Sequence, residues 1–186
     1  VIPATFIVIP ATLIVIPAKA GISLTKMLST ILSKRQCAAC KFCCSFRRQS
    51  LWETPLFPPE VVEKLSKPNE YGVVGEFRNG QIVLGPYLTA ASEEEVPCTF
   101  LDPHKGCILK GEDKPFDCSI WPLRIMNKEG ELVIALTPTC PTIGKVPTQD
   151  LIKLLQKGLG EKIFRYAQAH SYIIKEYRDG FPIVYF

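Results

Sequence analysis

Eight cysteines are the residues of this chain whose type and spacing are most typical of chemistry. Four lie close together in the stretch CAACKFCC, and the other four are spread along the later part of the chain. Thiolates bind zinc and iron–sulfur clusters, so the sequence predicts a metal centre to which all eight contribute. The predicted ligands are Cys37, Cys40, Cys43, Cys44, Cys98, Cys107, Cys118 and Cys140.

The early cysteines have the spacing C-x2-C-x2-C, followed directly by Cys44. Two intervening residues let the chain wrap so that successive sulfurs face one centre. Side chains of adjacent residues diverge, so Cys43 and Cys44 cannot easily bind the same single ion. Cys44 therefore serves a second site or bridges within a polynuclear cluster. The eight thiols fit either two tetrahedral sites or one cluster with spare thiols.

An even number of cysteines also fits disulfide bonds, so the cellular compartment decides between the two. The chain shows no basic segment followed by an apolar core and a small-residue cleavage site, which would mark a secretory signal. We therefore expect a cytoplasmic protein, where clustered cysteines more often hold metal. A disulfide-held protein of the cell envelope is the alternative if residues 1–26 are really made.

Residues 1–26 begin with a tandem repeat built on VIPAT, with Pro3, Pro10 and Pro17 in corresponding positions. We interpret this segment as a translated nucleotide repeat upstream of a start at Met27, and we expect it to be disordered. Because the prolines recur and no basic residue flanks the start, no membrane span is expected. Residues 27–146 would form the cysteine-cluster domain, and 147–186 a helix and tail packed on the same domain.

The rest of the chain predicts an α+β fold, small and irregular, with short strands and a long C-terminal helix. Proline and glycine recur through residues 97–122, so this segment cannot form a long element and would be ordered by metal. The apolar face of Leu151, Leu155, Leu159, Ile163 and Tyr166 marks the C-terminal helix. The predicted helices span 27–34, about 59–66, and 148 to about 177, the last with a weak point at Gly158 and Gly160. The predicted strands lie within 80–86 and at 131–136, and residues 181–186 would form an edge strand or a docked tail.

The formal net charge of +4 is too small by itself to predict binding to nucleic acid or to an anionic membrane. Basic residues nevertheless cluster around the early cysteines, where they would stabilise thiolates, although a solvated charged segment explains them equally well. Nearby aromatic side chains would shield the site from water, or belong to an ordinary core. The basic residues are Lys34, Arg35, Lys41, Arg47 and Arg48, and the aromatic ones are Phe42, Phe46 and Trp52.

Two histidines complete the candidates for chemistry. His104 lies between Cys98 and Cys107 and has the right type for a ligand, but we interpret it as a solvated turn residue. His170 falls in the predicted C-terminal helix, where it would be structural or exposed. No general acid, base or nucleophile stands out, so no catalytic residue is assigned.

The stretch CAACKFCC, the spaced cysteines of PCTFLDPHKGCILKGEDKPFDCSIWPLRI and the later TCP resemble the CxxCxxCC family of zinc- or iron-chelating proteins, also called the YkgJ-type cysteine-cluster family. The resemblance covers about residues 37–141 and implies a cysteine-bound metal centre. Ser119 departs from the pattern, since many relatives carry arginine after the cysteine that Cys118 matches. The family also resembles flagellin lysine N-methylases, which use an iron–sulfur cluster. Their activity is not carried over, because the chain is short and lacks a glycine-rich motif for a nucleotide-like cofactor.

The leading hypothesis is a metal-binding protein whose cysteines coordinate an iron–sulfur cluster of the 4Fe-4S type, or Zn²⁺. The C-x2-C-x2-C run favours a cluster over the paired C-x2-C knuckles of zinc ribbons. Redox chemistry or cluster-dependent modification would then be its activity, and whether it is an enzyme stays open. The alternative is a zinc-stapled module that binds nucleic acid or a protein without catalysis.

Overall fold

The computed structural model describes residue 28 and residues 31–40, 42–47, 54–82 and 95–186. Over these ranges the chain has the expected α+β fold. Its α-helices are α1 (Lys34–Cys40), α2 (Pro59–Leu65), α3 (Phe116–Ile120), α4 (Thr148–Leu154) and α5 (Gly160–Ala169). Its strands are β1 (Ser45–Arg47), β2 (Phe77–Arg78), β3 (Gln81–Ile82), β4 (Glu95–Pro97), β5 (Leu101–Asp102), β6 (Gly106–Cys107), β7 (Leu123–Lys128), β8 (Glu131–Leu136), β9 (Lys175–Glu176) and β10 (Ile183–Tyr185).

The largest sheet has four strands in the order β10-β8-β7-β9. Its centre is the β7–β8 hairpin, whose turn places Glu129 and Gly130 at φ 54° and 93°, the left-handed conformations that a tight hairpin needs. Strand β8 confirms the prediction at 131–136, and β10 confirms the terminal edge strand. Strand β9 pairs with β7 in the parallel direction and closes the other edge.

The C-terminal helix is interrupted and shorter than predicted. A π-helical turn over Leu155–Leu159 joins α4 to α5, and Gly158 lies within it at φ 107°, so the expected weak point is a real break. Helix α5 ends at Ala169 instead of continuing to about Tyr177. The prediction was wrong there because Lys175 and Glu176 pair with Met126 and Asn127 of β7, a tertiary contact that overrides helical periodicity.

The main hydrophobic core, called core I, lies between this broken helix and one face of the sheet. Leu155, Leu159 and Ile163 are fully buried there against β7 and β8, which confirms the predicted apolar face. Leu28 and Leu32, just before α1, join the same core. A smaller cluster of β7 and β8 side chains covers the opposite face of the sheet.

A second core, core II, lies in the cysteine-rich part of the chain. Phe57, Val61, Leu65, Phe100 and Leu109 are its buried members, and Cys98 and Cys107 pack against it. Helix α2, predicted at about 59–66, supplies two of these side chains and begins with a proline as expected.

Short elements alone make up residues 97–122, as the prolines and glycines predict. The segment holds a two-stranded ladder of β5 with β6, a 3-10 turn at Gly111–Asp113 and the five-residue helix α3. Of the predicted helix at 27–34, Leu28 is helical and Lys34 begins α1, whereas Ile31 to Ser33 between them are non-helical. Most of the strand predicted within 80–86 lies outside the described residues.

Helix α3 is held to the C-terminal half by one ion pair and one ring stack. Nη1 of Arg124, on β7, lies 3.2 Å from Oδ1 of Asp117, and both side chains are only 3% exposed. The Arg124 guanidinium also lies 4.8 Å from the centre of the Trp121 ring. On the other side, Phe116 stacks on Tyr166 of α5 with ring centres 3.6 Å apart. These contacts fix the orientation of the helix that carries Cys118.

We predict that the Asp117–Arg124 pair is strongly coupled. Replacing either residue alone, as Asp117→Leu or Arg124→Met, leaves a buried charge without its counter-ion and should lower the free energy of unfolding by about 3–5 kcal/mol. The double variant should be much closer to the wild type, because both charges are gone. Urea unfolding of the four proteins measures the coupling.

The exposed pair of Glu161 and Arg165 gives the control, since its nitrogen–oxygen distance is also 3.2 Å. Arg165→Met should change stability by less than about 1 kcal/mol. Additive losses in the Asp117 and Arg124 variants would show that the buried pair is not an energetic unit.

Candidate metal centre

Helix α1 carries the first two cysteines. Ser33 caps it, because the Ser33 Oγ accepts a hydrogen bond from the Gln36 backbone N–H while the Gln36 Oε1 accepts one from the Ser33 N–H, each at 3.2 Å. This reciprocal arrangement is the capping box of a helix start. Cys37 and Cys40 are three residues apart, so they lie on the same face of the helix. The sequence analysis missed this helix, although the pattern S-x-x-Q could have predicted it.

The next two cysteines lie on a 3-10 turn over Phe42–Cys44, which leads straight into β1. Strand β1 pairs with β4, and this pairing brings a distant cysteine alongside. The Cys98 backbone N–H donates to the Cys44 carbonyl oxygen at 2.7 Å. Backbone hydrogen bonding therefore joins the early cysteines to the later ones.

Cys107 comes from the β5–β6 ladder, where it pairs with Leu101. The preceding Gly106 packs directly against α1: a Cβ built on it would lie 3.1 Å from the Ala38 Cβ and 3.2 Å from the Ala38 Cα. A side chain at this position would press against Ala38, and the φ of +80° also favours glycine. The contact holds β6 beside the helix that carries Cys37 and Cys40.

Five of the predicted ligands line one cavity of about 40 Å³. They are Cys43, Cys44, Cys98, Cys107 and Cys118, which come from four separate segments of the chain. The rest of the lining is mostly apolar and consists of Pro55, Phe57, Phe100, Leu109, Lys114 and Pro115. The remaining three, Cys37, Cys40 and Cys140, are not among the residues of this lining. All eight cysteines are free, without disulfide bonds.

Four of the cysteine thiols have a raised pKa and therefore favour their protonated form. Burial raises the pKa of Cys98 to about 11 and that of Cys118 well above its ordinary value. The pKa of Cys43 is raised by its hydrogen bond with the Cys44 thiol and by burial. The pKa of Cys37 is raised by burial and then by the neighbouring thiols of Cys43, Cys140 and Cys40. A metal that binds here would therefore displace protons.

Lys114 is a cation at the cavity that the sequence analysis missed. It lines the cavity, and its charge opposes the upward pKa shifts of Cys37, Cys43 and Cys118. The turn before Lys114 contacts α2 and the segment after it through Asp113. The Asp113 carboxylate lies 2.7 Å from the Lys64 ammonium and accepts a hydrogen bond from the Tyr71 hydroxyl at 2.5 Å. The sequence could have indicated this role, because Lys114 lies four residues before Cys118.

Two of the basic and aromatic residues around the early cysteines can be checked. Arg35 is exposed, which agrees with the solvated alternative, and Phe42 is 42% exposed, so Phe42 does not shield the site. Lys41, Arg48 and Trp52 lie outside the described residues, as do the side chains of Lys34, Phe46 and Arg47. The buried apolar side chains that line the cavity are instead Phe57, Phe100 and Leu109 of core II.

The histidines keep the roles expected of them. His104 is exposed in the turn between β5 and β6, and its backbone N–H donates to the Asp102 carboxylate at 2.8 Å. His170 follows α5 and lies between the rings of Tyr166 and Tyr172. Neither belongs to the cavity lining.

The donors at the cavity fit a thiophilic metal, because sulfur is accompanied only by one ammonium group and apolar side chains. Among the residues that the structure describes, no three side chains of His, Cys, Asp or Glu are grouped so that they could hold a metal ion as they stand. The thiols thus converge on the cavity without closing around a common point, and a bound centre would draw them together.

The chain matches no protein-family model, no curated protein and no solved structure.

We predict that Gly106 is needed for the approach of β6 to α1. Gly106→Ala should lower the free energy of unfolding by roughly 2–4 kcal/mol, since it combines an unfavourable φ with a contact against the α1 backbone. Gly111→Ala is the matched control, because Gly111 also has a positive φ but a Cβ there meets nothing within 4 Å. It should lose only about 1–2 kcal/mol.

Metal content per chain, measured after anaerobic purification, is the second readout. Gly106→Ala should hold less metal than Gly111→Ala, because it displaces β6 and with it Cys107, one of the cysteines that line the cavity. Equal stability and equal metal content in the two variants would contradict this role for the close contact.

Proposed function

We propose that this protein binds metal through its clustered cysteines and that its centre is an iron–sulfur cluster of the 4Fe-4S type, with Zn²⁺ as the second candidate. The observation that carries the proposal is the cavity lined by five cysteines from four separate segments of the chain. Thiols that only filled a core would not need to meet in this way. Free thiols are also the form that a metal requires.

Two features support iron–sulfur over zinc. The C-x2-C-x2-C run is typical of cluster sites, whereas zinc ribbons use separate C-x2-C pairs. The cavity is also lined by Phe57, Phe100 and Leu109, and a dry apolar shell is one of the means by which proteins tune cluster potentials. Redox chemistry or cluster-dependent modification is the activity that such a centre would serve.

The resemblance of CAACKFCC and of the later spaced cysteines to the CxxCxxCC family supports the same proposal. We place the protein in the cytoplasm on account of its free thiols, which a reducing compartment maintains. In the described ranges, no helix combines the length and the apolar character that crossing a bilayer requires.

The chain's own residues would supply the ligands and their electrostatic setting. The cysteines that line the cavity would provide thiolates, and Lys114 would offset part of the negative charge of a metal–thiolate centre. The cluster itself would supply electron transfer or Lewis acidity.

We predict that anaerobically purified protein contains stoichiometric iron and sulfide and has a visible absorption that reductant bleaches. Stoichiometric zinc in a colourless protein would replace the cluster with the second candidate, and would favour the binding-module alternative. Protein free of both metals, with eight reactive thiols, would contradict the proposal.

A matched pair of variants separates ligation from packing. Cys98→Ser removes a predicted ligand and should lower metal content and the melting temperature together, since metal binding stabilises only the folded state. Leu109→Met changes another side chain of the same cavity but removes no ligand, so it should keep its metal and lose less than about 1.5 kcal/mol of stability. Equal metal content in both variants would argue against ligation by Cys98.

A further inference from the structure

The eight cysteines divide into two groups by their surroundings. Cys37 and Cys40 lie one helical turn apart on α1, and together with Cys140 they are the three cysteines that do not line the cavity beside core II. Cys43 continues the spacing of Cys37 and Cys40 along the chain, and the thiols of Cys43 and Cys140 are both near enough to influence Cys37. These four cysteines form the first group. The other four, Cys44, Cys98, Cys107 and Cys118, all line the cavity beside core II and form the second group.

The hydrophobic cores agree with this division for three of the cysteines. Cys140 packs against core I, the same core that Leu28 and Leu32 enter immediately before α1. Cys98 and Cys107 pack against core II instead. Cys140 comes from the segment that follows β8, whereas three members of the second group, Cys98, Cys107 and Cys118, come from the irregular segment 97–122.

Cys43 and Cys44 stand at the boundary between the groups. They are adjacent on the 3-10 turn, so their side chains diverge, although both reach the cavity lining. Cys43 completes the C-x2-C-x2-C run with Cys37 and Cys40, and this leaves Cys44 to the second group. Cys140 is followed by Pro141, as is the last cysteine of the bacterial ferredoxin run.

We propose that the chain holds two separate metal centres, one on Cys37, Cys40, Cys43 and Cys140 and the other on Cys44, Cys98, Cys107 and Cys118. This inference rests on the proposed metal-binding function and deepens it. The first centre has the ferredoxin-like spacing and is the position for an iron–sulfur cluster. The second joins four segments of the chain at the cavity and takes a thiophilic metal.

The position of Lys114 fits two neighbouring centres. A site of four thiolates and one divalent ion carries about −2, so two such sites repel each other. Lys114 lines the cavity of the second group and also acts on the thiols of Cys37 and Cys43 in the first. A single ammonium near both groups reduces this repulsion.

Stepwise metal removal from the wild-type protein tests the proposal. Protein purified without oxygen is treated with increasing chelator, its free thiols are alkylated with N-ethylmaleimide, and the labelled positions are located by peptide mass spectrometry. The first group should become reactive as a set while the second stays protected, because Cys37 is exposed and the second group surrounds the cavity. Cys43 and Cys44 should then differ in label within one tryptic peptide.

Two outcomes of the labelling would overturn the inference. One is the release of all metal in one step with eight thiols labelled together. The other is a labelled set that mixes the groups, such as Cys37 with Cys118. Metal-free wild-type protein would instead defeat the proposed function itself, so the two failures are distinguishable.

Single variants give a second readout. Cys140→Ser should lose the metal of the first centre and keep that of the second, and Cys107→Ser should do the reverse, as measured by metal and sulfide per chain. If both variants lose the same complement of metal, the two-centre proposal is wrong. If either variant fails to fold, the labelling of the wild-type protein decides.

Discussion

Cysteines from four distant segments of the chain meet at one cavity, and the proposed metal centre depends on this convergence. The regular structure of the cysteine-rich part is slight: β5 and β6 have two residues each, and α3 has five. Among the residues that the structure describes, core II has five buried hydrophobic members. Ligand bonds to a metal would order such a segment more strongly than these contacts, because the binding free energy of a structural metal adds to that of folding.

The C-terminal half provides the rigid support. The four-stranded sheet and the broken helix α4–α5 enclose core I, to which Leu28 and Leu32 attach the start of α1. Helix α3 is fixed to the same half through Asp117 and Phe116, the residues that immediately precede Cys118. Contacts with core I therefore position the cysteines of α1 and α3, whereas contacts with core II position Cys107 on β6 and Cys98 after β4.

Much of the fold could be predicted from local sequence. The apolar run of ELVIAL predicted β8, the prolines before Glu60 predicted the start of α2, and the leucine periodicity predicted the buried face of α4 and α5. The end of α5 could not be predicted, since no glycine or proline stands at positions 170–177, and pairing with β7 decides it. The S-x-x-Q pattern of Ser33 and Gln36 could have predicted the start of α1, but the sequence analysis did not use it.

The candidate site was predicted in its residue types but not in its arrangement. Cysteine spacing identified the eight thiols, whereas the meeting of Cys44 with Cys98 depends on pairing of β1 with β4 across residues remote in sequence. The role of Lys114 and the close approach of Gly106 to Ala38 likewise follow only from the folded chain. Short motifs specify donors, and long-range contacts specify which donors meet.

X-ray absorption spectroscopy of the bound metal in anaerobically purified protein tests the central claim most directly. If the cysteine thiolates hold the centre, the first coordination shell contains sulfur alone, at about 2.3 Å for iron or zinc. A first shell with nitrogen or oxygen ligands from protein side chains would contradict the account.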